Sequence, residues 1–120
     1  MKFHAKHVST DSSVGGDYYQ VSFSVEDDDD DLTGDSPYLL IQRDFEPPCD
    51  DRCYVEMHDE RYCGHFLLRR IDFTPEGLMI ELDRKIDNRI FVTFRLGSSE
   101  FEKVSHVIKI ISGEIEPDSE

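Results

Sequence analysis

Between Tyr18 and Val25 the chain alternates strictly. Tyr19, Val21, Phe23 and Val25 fall on one side, and Tyr18, Gln20, Ser22 and Ser24 on the other. A period of two matches a β-strand with one face buried and one in water. The pattern returns downstream. Leu78, Ile80 and Leu82 alternate with Met79 and Glu81, and Ile90, Val92, Phe94 and Leu96 alternate with Phe91, Thr93 and Arg95. A chain patterned in this way has to build a sheet. The stretch from Tyr38 to Phe45, with its continuous Leu39-Leu40-Ile41, predicts a central strand covered on both faces, ended by Pro47-Pro48.

The period changes near the C-terminus. Phe101, Val104, Val107, Ile108 and Ile111 form one stripe of an amphipathic helix. Ser99 with Glu102 predicts a capping box at its start, and Gly113 a stop. Between the strands lie turn signals. Thr74-Pro75-Glu76-Gly77 carries Pro and Gly at the favoured turn positions, and Thr10 to Asp17 holds a glycine pair. Phe3 to Val8 reads as a single first strand. Cys53 to His58 and Arg61 to Phe66 read as a hairpin about Asp59-Glu60, which pairs Tyr54 with His65 and Glu56 with Cys63. The expected fold is α+β: a mostly antiparallel sheet of six or seven strands, connected as hairpins or a meander, with one C-terminal amphipathic helix packed on the face that carries Val92 and Phe94. Residues 1–115 make a single domain in this reading, and residues 116–120 a flexible acidic tail.

Charge narrows the function. The 120 residues hold 27 Asp and Glu against 13 Lys and Arg, for a net charge of -14. Residues 26–60 alone carry fourteen acids and two arginines, net -12, including the five consecutive aspartates Asp27, Asp28, Asp29, Asp30 and Asp31. Such a field opposes nucleic-acid binding, which needs a basic stripe. It suits a cationic partner. No apolar run approaches the roughly 18 to 20 residues of a membrane helix, and the N-terminus lacks the apolar stretch of a signal peptide. The expectation is a cytoplasmic protein with no membrane and no nucleic acid among its partners. Its three cysteines, Cys49, Cys53 and Cys63, are then reduced thiols.

Catalytic and metal constellations fall short one by one. Asp29-x-Asp31-x-Thr33-Gly34 begins like an EF-hand loop, but its twelfth position is Leu40 where a bidentate glutamate is required. Cys49, Cys53, His58, Cys63 and His65 do not follow a standard zinc spacing, and the hairpin register sets Cys53 on the face opposite Cys63 and His65. The same register separates His65 from His58 by about 13 Å along the strand, too far for a facial triad with Glu56. Cys63 and His65 lack an orienting third group for a nucleophile. His4, His7 and His106 are isolated, and no glycine-rich phosphate loop follows a strand. No cofactor is expected. The face holding Tyr54, Glu56, His58, Arg61 and His65 is polar and aromatic, a composition that suits a contact surface.

The segments Tyr38-Leu39-Leu40-Ile41-Gln42-Arg43, Cys53-Tyr54-Val55-Glu56-Met57-His58-Asp59-Glu60-Arg61-Tyr62, Leu78-Met79-Ile80-Glu81-Leu82 and Ile90-Phe91-Val92-Thr93-Phe94, followed by a closing helix, resemble the immunity protein ten family of bacterial polymorphic toxin systems. The likeness spans about residues 38–111. It implies a non-enzymatic antitoxin that binds and neutralises a cognate protein toxin. A toxin that cuts nucleic acid has a basic groove, which an acidic inhibitor complements. The expected contact residues are Asp27 to Asp31, Asp50, Asp51, Tyr54, Glu56, Asp59, Glu60 and Tyr62. The alternative class is a small metal-binding protein or hydrolase using Cys63, His65 and Glu56, and a third is a self-associating subunit such as a homodimer.

Overall fold

The computed structural model describes residues 2–12, 18–25, 37–45 and 52–114. Over these residues the chain is α+β, with nine strands in two mostly antiparallel sheets and one C-terminal helix. The strands are β1 (Lys2–His4), β2 (His7–Ser12), β3 (Tyr18–Ser24), β4 (Tyr38–Asp44), β5 (Cys53–Met57), β6 (Gly64–Phe66), β7 (Leu68–Thr74), β8 (Gly77–Leu82) and β9 (Arg89–Thr93), and the helix is α1 (Ser98–Ser112). The five-stranded sheet is a pure meander in the order β2-β3-β4-β5-β6. The four-stranded sheet runs β1-β9-β8-β7, with β1 parallel to β9 and the remaining pairs antiparallel.

The expected single sheet is therefore two, and the reason lies at two crossings. The predicted first strand, Phe3 to Val8, breaks at Ala5-Lys6. Ala5 N–H donates to the Thr93 carbonyl at 2.7 Å, and the next amide, that of Lys6, donates to the Ser24 carbonyl at 2.8 Å. Consecutive residues thus bond to different sheets. The second crossing is Leu67, between β6 in one sheet and β7 in the other.

The alternating residues meet in one core. Val21, Phe23, Leu39, Ile41 and Val55 from the five-stranded sheet join Leu78, Ile80, Leu82, Ile90 and Val92 from the four-stranded one. Val104, Val107, Ile108, Ile110 and Ile111 of α1 complete it. The helix packs chiefly on β3, with further approaches to β7 and β2, and not mainly on the Val92 and Phe94 face as expected. It reaches Phe94 through an aromatic relay: Phe101 stacks on Phe73 at 5.1 Å, and Phe73 leans on Phe94 at 5.7 Å. Phe94 in turn stacks on Phe23 across the core at 5.5 Å.

Local details also shift. The helix begins at Ser98 with Gly97 as its cap, two residues earlier than the expected Ser99 cap, because the Gly97 carbonyl already accepts from Phe101 N–H at 2.9 Å. Gly113 ends it in the left-handed conformation at φ 87°, as anticipated. β4 is central in its sheet, yet Leu40 is only half-buried while Leu39 and Ile41 are buried. One face of that strand therefore remains partly open.

Candidate functional site

The open face belongs to the five-stranded sheet. Its β5 strand buries Cys53, Val55 and Met57 and turns Tyr54 and Glu56 outward. The register sets Glu56 beside Leu40, and Tyr54 between Gln42 of β4 and His65 of β6. The expected Tyr54–His65 pair is thus present, with ring centroids 5.3 Å apart. Tyr38, two residues before Leu40 on the same face, lies diagonal to Glu56.

These neighbours close on one carboxylate. The Tyr54 hydroxyl donates to Glu56 Oε1 at 2.7 Å, and the Tyr38 hydroxyl donates to Oε2 at 2.9 Å. His58 completes the row. Its Nδ1 accepts from Tyr38 N–H at 3.2 Å, and Phe3 packs edge-on against its ring at 5.8 Å. Both phenols respond. Burial, then the bond to Glu56, pushes Tyr38 up to about 12, and the Glu56 bond, then burial, raises Tyr54. Sequence reasoning passed over Tyr38. Its place depends on the β4–β5 register, which no local signal sets.

The cluster differs from the acidic sites of the four-stranded sheet, which ion pairs hold. Glu81 sits between Arg69 at 3.5 Å and Arg89 at 3.3 Å, Asp83 takes Arg69 at 2.6 Å, and Asp72 takes Arg70 at 2.9 Å. No lysine or arginine pairs with Glu56 among the described residues. The outward positions of the described five-stranded sheet carry Asp11, Asp44 and Glu56 and neither lysine nor arginine. The four-stranded sheet, by contrast, interleaves Lys2, Arg69, Arg70 and Arg89 with its acids.

The remaining expected contacts divide. Asp27 to Asp31, Asp50 and Asp51 lie outside the described residues, as does Cys49. The two-residue turn at Asp59-Glu60 is instead a single 3-10 turn, Glu60–Tyr62. Asp59 caps it by accepting from Arg61 N–H at 3.0 Å, and its carboxylate binds the Arg61 guanidinium at 2.7 Å. That guanidinium holds Asp59 down to about 2. Glu60 is exposed. Arg61, expected on the open face, is engaged by Asp59 and lies 3.7 Å from Asp87. Tyr62 is corrected outright: at 4% exposure it belongs to the core, because the 3-10 turn leaves its ring inward, and it is no surface anchor.

Cys63 does not keep the expected pairing with Glu56. Its thiol turns back on the β5 terminus, accepting from Met57 N–H and donating to Met57 O, each at 3.4 Å. Cys53 is buried, and its thiol donates to the Ile111 carbonyl at 3.8 Å. Among the described residues no group of three or more His, Cys, Asp or Glu side chains is placed to hold a metal ion, and no helix is long and apolar enough to cross a membrane. No protein-family model matches the chain, and no curated protein matches it in sequence.

Proposed function

We propose that this protein is an immunity protein, a cytoplasmic antitoxin without catalytic activity that neutralises a cognate bacterial toxin by laying an acidic surface over its basic site. The observation that carries the reading is the outer face of the five-stranded sheet, where carboxylates, tyrosines and serines occur without a lysine or arginine among the described outward positions. The chain's net -12 over residues 26–60 adds to it, since β4 and β5 of this sheet lie within that segment. A toxin that cuts nucleic acid offers the matching cationic groove. Steering between such surfaces raises association rates by roughly 10- to 1,000-fold at low salt.

The test is co-expression with the products of neighbouring open reading frames. One of them should arrest growth alone and be silenced by this protein through a direct complex. Replacing Asp27 to Asp31 with asparagine should slow that association and flatten its salt dependence. If no neighbouring product is toxic or bound, the antitoxin reading fails.

A further inference from the structure

We infer that the Tyr38–Glu56–Tyr54 cluster is a guanidinium-binding subsite, the point at which the exposed five-stranded sheet takes an arginine side chain of a partner protein. The inference rests on the reading of this face as a docking surface for a cationic protein and specifies its anchor.

The geometry counts out the valences of one carboxylate. An ionised carboxylate has about four lone-pair positions, two on each oxygen. At Glu56 each oxygen receives one tyrosine hydroxyl, Oε1 from Tyr54 at 2.7 Å and Oε2 from Tyr38 at 2.9 Å. One acceptor position is left on each oxygen. Acceptor positions on both oxygens of one carboxylate can take the paired N–H groups of a guanidinium, whereas an ammonium is a point charge with no planar fork. The two phenols also hold the carboxylate in a single orientation before a ligand arrives, which lowers the entropy lost on binding.

A second observation points the same way. The acids of the four-stranded sheet are neutralised within the chain by Arg69, Arg70 and Arg89, and Asp59 by Arg61. Glu56 instead receives two neutral donors, so its charge is oriented and not cancelled by a described lysine or arginine. Leu40, half-buried across the strand, gives an apolar floor for the aliphatic stem of an arginine.

The experiment titrates N-acetylarginine amide and N-acetyllysine amide, each a single cation, into the full-length protein and follows backbone amides by NMR. The expected result is a saturable shift centred on Leu40, Tyr54 and Glu56, several-fold tighter for the arginine probe. Glu56→Gln should weaken it by about tenfold, the usual cost of losing one charge-assisted pair. Tyr38→Phe and Tyr54→Phe keep the rings and the fold, and should shrink the preference for arginine over lysine. Equal weakening by Asp11→Asn, or equal affinity for the two probes, overturns the subsite. Binding of the arginine probe at Glu56 without any toxic neighbour upholds the subsite and removes only the antitoxin reading.

Discussion

The guanidinium of Arg84 lies 5.4 Å from the ring centroid of Tyr62 and 4.9 Å from that of Phe66. Arg84 follows β8 in the four-stranded sheet, whereas Tyr62 and Phe66 belong to the β5–β6 hairpin of the other. Its Nη2 also donates to the Arg61 carbonyl at 2.7 Å and to the Asp87 carbonyl at 2.6 Å. One side chain thus pins two sheets together at the end where no strand pairing joins them. Arg84→Ala should destabilise the fold by about 1–3 kcal/mol through lost cation–π contact and unpaired carbonyls. Arg84→Lys should recover less than half, since an ammonium cannot serve both carbonyls and both rings. Urea midpoints at neutral pH check both variants.

Tyr38 binds its proton more tightly in the folded chain than the ordinary phenol value of 10.0 allows, with a folded value of about 12. A raised value stabilises the protein fully below pH 10.0, and that contribution disappears as pH rises through about 12. Alkaline urea midpoints of the wild type should therefore fall more steeply over this window than those of Tyr38→Phe. Glu56→Gln should bring the Tyr38 titration, read by ultraviolet absorbance, back toward the ordinary value. An unmoved titration would mean that burial alone sets it.

Asp59 titrates on the acid side with the opposite sign. Its folded value is held at about 2, against an ordinary 3.8, by the Arg61 guanidinium and backbone amide. The stabilisation is present above pH 3.8 and lost as pH falls through about 2. Asp59→Asn retains a capping oxygen but loses the charge. Its urea midpoint should lie below that of the wild type at neutral pH, and the gap should close on acidification.

Gly113 occupies φ 87° at the end of α1, and its N–H donates to the Ile110 carbonyl at 3.1 Å. A methyl group there would meet Arg43 Nη1 at 3.5 Å, an ordinary contact, so the cost is conformational and not steric. Gly113→Ala should lower stability by about 1 kcal/mol. Thermal unfolding followed by circular dichroism measures it, and an unchanged midpoint would show that the helix end can relax out of the left-handed region.

Where a signal is local, the residues announce it. Alternation over Tyr18 to Ser24 and over Gly77 to Leu82 became burial in every second residue. The Pro75-Glu76 turn joins Thr74 to Gly77 as paired positions of a hairpin. The Tyr54–His65 pair was readable because the hairpin that makes it spans few residues. Tyr62 is a different case. The expected register, with Glu56 opposite Cys63, already set Tyr62 opposite Met57 on the buried face; the 3-10 turn replaces the strand backbone but leaves the ring inward, and Arg84 arrives from another sheet to cover it.

Side-chain periodicity and charge thus determined the element types, the antiparallel α+β class, the core residues of most strands and the acidic bias of residues 26–60. These depend on neighbours in the chain, whose geometry the backbone enforces. Tertiary structure alone decided that the strands divide into two sheets, that α1 lies chiefly against β3, and that Tyr38 reaches Glu56. Each of those outcomes is a choice of register or partner between segments far apart in the chain. Such choices are made by the shared core and by backbone amides that must find carbonyls, as at Ala5 and Lys6, where adjacent residues bond to different sheets.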